Sequence, residues 1–247
     1  MLLSPSLLQP GQAHLFLARP EGLLQAAPQH GAWLSAEEGA RAARYRSPDD
    51  GARYRATRIL VRAVLSGLTG QAAQQLSFVE LAHGRPALRQ PTSALDFNAS
   101  RSRGWLALLV TSGARCGVDV EDTRREADVL RIARAFAPAE RASLLEASGE
   151  ERRLRFFRLW TLKEATLKAL GTGLTASLGA CAFQLPAAGP PCVSFAPALH
   201  QDAADWRFVQ RQADSNHLVA AAVRSAQPVD VTVHGDLETC AAVAALG

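Results

Sequence analysis

Only two of the 27 basic residues in this 247-residue chain are lysines, Lys163 and Lys168, and both lie in Trp160-Thr-Leu-Lys-Glu-Ala-Thr-Leu-Lys168. Arginine is a planar, permanently charged fork, whereas lysine is a compact point charge whose pKa can be moved. Lysine kept at two neighbouring places in an arginine-writing chain marks that segment for chemistry. Glu164 and Lys168 are four apart and share a face of a helix. Taken alone, such a pair is a surface support worth about 0.2–0.5 kcal/mol. Trp160 precedes Glu164 by one turn on the same side, so this side is partly buried. A carboxylate and an ammonium placed there need partners; a metal ion and a phosphate would supply them.

A second acidic element lies upstream, Gly117-Val-Asp-Val-Glu-Asp122. On a strand, Asp119 and Glu121 point to one face, while Val118 and Val120 point to the core and Asp122 turns away. Two carboxylates on one face repel unless a cation sits between them. Hard oxygen ligands suit magnesium or calcium, and magnesium commonly takes one or two carboxylates together with substrate phosphates. A bare D-x-E is otherwise a solvated strand edge, since short motifs recur by chance.

The elements that must position these groups are legible in outline. His14–Ala18 reads as a strand bounded by Pro20, and Ser35-Ala-Glu-Glu38 as a capping box opening a helix. A helical period runs from about Asp50 to Leu68 and stops at Gly70. Arg46, Arg53, Arg55, Arg58 and Arg62 are spread along this region, mostly as solvated surface with one or two facing a ligand. Strands are expected at Leu76–Leu81, Leu95–Ala99 and Trp105–Val110, with His83-Gly-Arg-Pro86 as a turn. Then come a strand at Cys116–Glu121, helices at Glu126–Phe136 and from Pro138, and a long helix from Ser148 to Leu170 ended by Gly171. Strands follow at Leu178–Leu185, Trp206–Ala213 and Leu218–Val223, and the segment from Ala226 is left open. Helix followed by antiparallel strands, twice over, predicts an α+β fold. It would be a pseudo-twofold arrangement of two similar halves, residues 1–114 and 115–247, each a small antiparallel sheet packed with helices.

Composition narrows the class. A hydrophobic fraction of 48% fills a core, and a net charge of +4 suits an anionic partner. There is no basic run, aromatic-basic interleaving or zinc-finger spacing, so nucleic acid is not the expected partner. The four cysteines form no C-x-x-C pair and read as reduced, structural thiols of a cytoplasmic protein. Neither a signal peptide nor a membrane span is read at the N-terminus.

Taken together, the segments resemble the Sfp-type 4′-phosphopantetheinyl transferases. That family carries G-[VI]-D-[VI]-E on a strand and, some forty residues on, W-[ST]-x-K-E-[AS]-x-x-K on a helix. Here they stand as Gly117–Glu121 and Trp160–Lys168. Phe136-Ala-Pro-Ala-Glu140 looks like the family's F-x-x-x-E element, Gly84-Arg-Pro86 like its G-[KR]-P, and Gly171-Thr-Gly-Leu174 like its glycine-containing exit. Phe97-Asn-Ala-Ser-Arg-Ser102 resembles its F-N-x-S-H-S, with Arg101 in place of the family's histidine. The likeness spans roughly residues 13 to 224.

The resemblance implies transfer of 4′-phosphopantetheine from coenzyme A to a serine of an apo acyl or peptidyl carrier protein, with magnesium as cofactor. It implies magnesium on Asp119, Glu121 and Glu164, and Glu164 and Lys168 as the catalytic pair. Coenzyme A would meet Arg85, Ser100 and Arg101, with Arg46 or Arg53 making up for the basic residue the family often has before position 50. Lys163 is expected either at the rim of the phosphate site or as a plain helix-surface lysine. The chain is expected to be monomeric. The rival readings are a non-catalytic module that binds coenzyme A or a carrier protein, and a magnesium-dependent nucleotide hydrolase.

Overall fold

Two 22-residue helices, Pro48–Thr69 and Gly149–Leu170, organise the chain, and each ends on a left-handed glycine, Gly70 or Gly171. Glycine adopts positive φ without steric cost, so it frees the chain to turn back across the helix it has just completed. The computed structural model describes residues 8–25, 31–173 and 177–235. In chain order its strands and α-helices are β1 (Gln12–Ala18), α1 (Pro20–Gln25), α2 (Ala36–Ala43), α3 (Pro48–Thr69), β2 (Ser77–Glu80), β3 (Pro86–Gln90), β4 (Leu95–Arg101), β5 (Leu106–Ser112), β6 (Arg115–Asp122), α4 (Val129–Ala133), α5 (Pro138–Glu146), α6 (Gly149–Leu170), β7 (Cys181–Gln184), β8 (Cys192–Phe195), β9 (Trp206–Asp214), β10 (His217–Arg224) and β11 (Asp230–His234).

The same plan occurs twice. A strand leads into helices, the last of them 22 residues long, then a hairpin, then two more strands. The first set pairs in the order β1-β5-β4 and the second in the order β6-β10-β9, with antiparallel neighbours throughout. The hairpins β2–β3 and β7–β8 occupy corresponding places. Alternation along each strand sends side chains to opposite faces. Phe16, Leu108 and Val110 pack under Leu60 and Val64 of α3. Leu15, Leu109, Val118, Val120 and Val219 fill the space between the two sheets. Ala220 and Ala222 lie under Phe156, Leu162 and Ala165 of α6. The order of layers is therefore helix, sheet, sheet, helix.

The two sheets are joined by side chains rather than by a backbone ladder. Asp96, Asn98 and Ser100, alternate residues of β4, accept from the amides of Cys116, Val118 and Val120 at 3.0, 2.9 and 3.3 Å. The edge of β6 that no strand pairs is thereby satisfied, as buried backbone donors must be.

Several expectations need correction. The helix expected over Glu126–Phe136 is only Val129–Ala133. Asp128 starts it by accepting from the Arg131 amide, and Pro138 holds Ala137 extended. The strand expected at Leu178–Leu185 is Cys181–Gln184, preceded by a 3₁₀ turn. The open segment after Ala226 contains β11, which lies parallel to β1 at the edge of the first sheet. Its alternation, Val229-Asp-Val-Thr-Val233, is a strand signal. Arg58 and Arg62 are buried rather than solvated: both ion-pair with Glu38, at 2.5 and 2.9 Å. Among the described residues no helix is long and apolar enough to cross a membrane.

Candidate active site

Gly117 sets the position of the acidic groups. A Cβ there would lie 2.1 Å from the Ala165 carbonyl oxygen and 2.5 Å from the Ala169 amide nitrogen. Only glycine lets β6 run directly against the backbone of α6, bringing Glu164 and Lys168 over Asp119. Gly117→Ala is therefore expected to cost about 1–3 kcal/mol by overpacking. It should also cut turnover on the order of a hundredfold, because a shift near 1 Å misplaces reacting groups. Thermal unfolding and kcat check this together. A folded variant with parental turnover would show that the β6–α6 contact does not set the site.

Asp119 is buried and meets both lobes. Its Oδ1 accepts from Lys168 Nζ at 2.6 Å and from Ser100 Oγ at 3.0 Å. Lys168 Nζ also donates to the Val118 carbonyl at 3.0 Å and to Ser100 Oγ at 3.2 Å. Glu121 is held by Trp160 Nε1 at 2.8 Å and by Arg125, whose Nε and Nη2 reach its two oxygens at 2.8 and 3.1 Å. The guanidinium of Arg125 lies over the rings of Phe157 and Trp160. Asp122 faces elsewhere, paired with Arg124 at 2.9 Å.

Asp119 Oδ2 and Glu164 Oε1 are buried with no hydrogen-bond partner. Burial pushes the pKa of Glu164 up, the negative charges of Asp119 and Glu121 push it further, and Lys168 pulls it back. Glu121 is likewise raised by burial and by Asp119, against the pull of Arg125. Three mutually repelling carboxylates with two orphaned oxygens fit a hard divalent cation. Among the described residues no group of three or more acidic, histidine or cysteine side chains is gathered tightly enough to hold a metal by itself. The fit is thus to an ion that draws further ligands from phosphate and water.

Two clefts border this centre. One, of about 720 Å³, lies between α3, the β2–β3 hairpin and the end of α6, edged by Arg41, Arg58, Arg101 and Lys168. The other, of about 620 Å³, runs past Glu121, edged by Arg103, Arg124 and Arg125. Arg101 borders both, its Nη2 donating to Tyr45 Oη at 2.8 Å. Arg41 and Arg125 line these clefts although nothing local in the sequence singles them out.

Other expected ligand residues lie elsewhere or are already engaged. Lys163 is fully buried, paired with Glu140 at 2.7 Å and donating to the carbonyls of Leu178 and Cys181. It is neither a rim group nor a surface lysine. Arg85 spends both Nη atoms on the carbonyls of Lys168, Phe97 and Cys116 and on Asp96, so it clamps the lobes rather than offering its fork to a ligand. Arg53 is held by Asp50 at 2.5 Å, Arg46 is exposed, and neither edges the two clefts. Leu174 of the glycine-containing exit lies outside the described residues.

Residues 115–223 match the 4′-phosphopantetheinyl transferase superfamily. The chain is 34% identical over 218 residues to the 4′-phosphopantetheinyl transferase HetI of Nostoc sp., covering 86% of this chain and 87% of that one. It is 30% identical to the 4′-phosphopantetheinyl transferase psf-1 of Bacillus pumilus, covering 65% of this chain and 72% of that one. Among solved structures, the holo-[acyl-carrier-protein] synthase of Thermotoga maritima is 24% identical, with a TM-score of 0.37, over 46% of this chain and 65% of that one. The Nostoc relative matches both lobes, including the strand and the helix that carry the acidic centre, and the chain belongs to the 4′-phosphopantetheinyl transferase family.

Proposed function

We propose that the chain moves 4′-phosphopantetheine from coenzyme A to a serine of an apo acyl or peptidyl carrier protein, releasing adenosine 3′,5′-bisphosphate. The observation that carries this reading is the meeting of Ser100, Asp119 and Lys168 within 2.6–3.2 Å, beside the orphaned Glu164 oxygen. The pyrophosphate would lie over this point, with the body of coenzyme A in the arginine-edged cleft. Transfer at phosphorus asks the protein for positioning and charge neutralisation above all. Lys168 supplies a point charge to the pyrophosphate. The serine oxygen attacks phosphorus, the bond to the bisphosphate oxygen breaks, and the serine proton passes to Glu164, directly or through a water. A carboxylate whose pKa is raised is the better base for that proton. Asp119, Glu121 and Glu164 would hold a magnesium ion, which when bound supplies positive charge against the phosphates. Glu121 would then exchange part of its pairing with Arg125.

We place the reaction in the cytoplasm with the chain as a monomer. Of the described cysteines Cys116 and Cys181 are buried and all are free, as in a reducing compartment. The test is intact-mass measurement of apo carrier proteins from several pathways after incubation with the protein, coenzyme A and magnesium. The expected result is a gain of about 340 Da at one serine, the mass of one phosphopantetheine joined to a nucleophilic hydroxyl. No gain on any carrier favours the binding module, and consumption of coenzyme A without a carrier favours the hydrolase.

A further inference from the structure

Arg101 borders both clefts, and the next three residues, Ser102-Arg103-Gly104, form the tight turn between β4 and β5. The Ser102 amide donates to the Trp105 carbonyl at 2.9 Å, and Gly104 takes φ 93°. This turn belongs to the first lobe, yet the second lobe grips it. His217, the first residue of β10 and 4% exposed, places Nε2 2.6 Å from the Arg103 carbonyl oxygen. Its Nδ1 lies 2.8 Å from Asp214 Oδ1 at the end of β9. Both ring nitrogens thus face oxygens, the Arg103 carbonyl on one side of the ring and the Asp214 carboxylate on the other. Asp214 is itself fixed from three more sides. Trp105 Nε1 and the Asn216 amide donate to it at 2.8 Å, and Arg19 Nη2 at 3.3 Å. Burial works against its charge, but hydrogen bonds from Trp105, the Asn216 amide and His217 hold its carboxyl far below the usual range. Asp122 stands 3.9 Å from His217 Nε2, turned toward Arg124.

This chain of contacts ends on the segment that carries Arg101 and Arg103 to the ligand clefts. We propose that His217, oriented by Asp214, is a positioning residue for the transfer. By holding the Arg103 carbonyl it fixes the β4–β5 turn and sets Arg101 and Arg103 against coenzyme A. This rests on the reading that the clefts receive coenzyme A.

Two amide variants separate the two ends of the imidazole. Glutamine reaches the Nε2 position and keeps a donor for the Arg103 carbonyl. Asparagine reaches only the Nδ1 position and keeps the Asp214 contact. His217→Asn is expected to raise KM for coenzyme A about three- to tenfold with kcat little changed, as lost positioning of a binding group does. His217→Gln should restore most of the parental KM. A parental KM in His217→Asn, or equal losses in both variants, overturns the proposal. If His217→Asn does not fold, Asp214→Asn carries the same test: it keeps the shape, weakens the hold on His217, and must raise KM with kcat retained. An unchanged KM overturns the proposal there too. Arg101→Ala, measured alongside, separates the two levels. If it leaves KM unchanged, the reading of the cleft fails. If it raises KM while His217→Asn does not, only the positioning role fails.

Discussion

Replacing Lys163 by methionine is expected to destabilise the fold by about 3–5 kcal/mol, the usual cost of removing one partner of a buried ion pair. The side chain has no exposed surface and its ammonium meets Glu140 at 2.7 Å. Without it, two carbonyls lose a donor and the Glu140 carboxylate is left with the Ala137 and Phe183 amides. The double variant Lys163→Met, Glu140→Gln should recover part of the loss, since a neutral amide needs no buried counter-charge. Lys163→Arg should also be harmful, by about 1–3 kcal/mol. The wider fork has to enter a site walled by Phe136 and Phe183, whose ring centres lie 4.8 and 5.9 Å from the ammonium. Denaturant unfolding of the four proteins measures these losses. A Lys163→Met variant as stable as the parent would show that the pair contributes nothing.

The two lysines show what a sequence can and cannot say about such a site. The 3.6-residue period places Lys163 about 100° round the helix from Glu164, so different surroundings for the two were foreseeable. Which face is buried was not, because α6 is covered on nearly every side: Phe156, Phe157, Leu159, Thr161 and Leu162 are all buried and are spread round its circumference. The strand alternation that sets Asp119 and Glu121 against α6 was legible, because a period of two leaves no other choice. So was the doubled plan of helix and strands. The pairing of residues far apart in sequence was not. Glu38 lies 20 and 24 residues from Arg58 and Arg62, and Arg85 reaches Asp96, Cys116 and Lys168 across three elements. Arginines that read as solvent-facing or ligand-binding in one dimension become clamps in three. The residues that touch the proposed pyrophosphate site lie on regular elements with a strong period, while the misread ones depend on tertiary pairing.

Glu164→Gln is expected to lower kcat about a hundredfold to ten-thousandfold, the range lost with a general base, while leaving the ligand-free protein at least as stable as the parent. The exchange keeps the shape and removes a charge that burial, Asp119 and Glu121 all oppose. Because the folded-state pKa of Glu164 is raised, its proton is held more tightly in the fold than in the unfolded chain. The parent is therefore most stable, so far as this group is concerned, below the ordinary glutamate pKa, and loses that stability as pH rises through the raised value. Glutamine has no proton to lose. The advantage of the variant in thermal midpoint should accordingly be present at neutral pH and vanish in acid. Magnesium should reverse the order: it stabilises the parent by binding the ionised carboxylates, and stabilises the variant less. Thermal scans at neutral and acid pH, with and without magnesium, read all of this independently of turnover. A variant less stable than the parent at neutral pH without metal would mean that Glu164 is a net support of the fold. Turnover within threefold of the parent would remove it from the chemistry and leave Lys168 and Asp119 to carry the transfer.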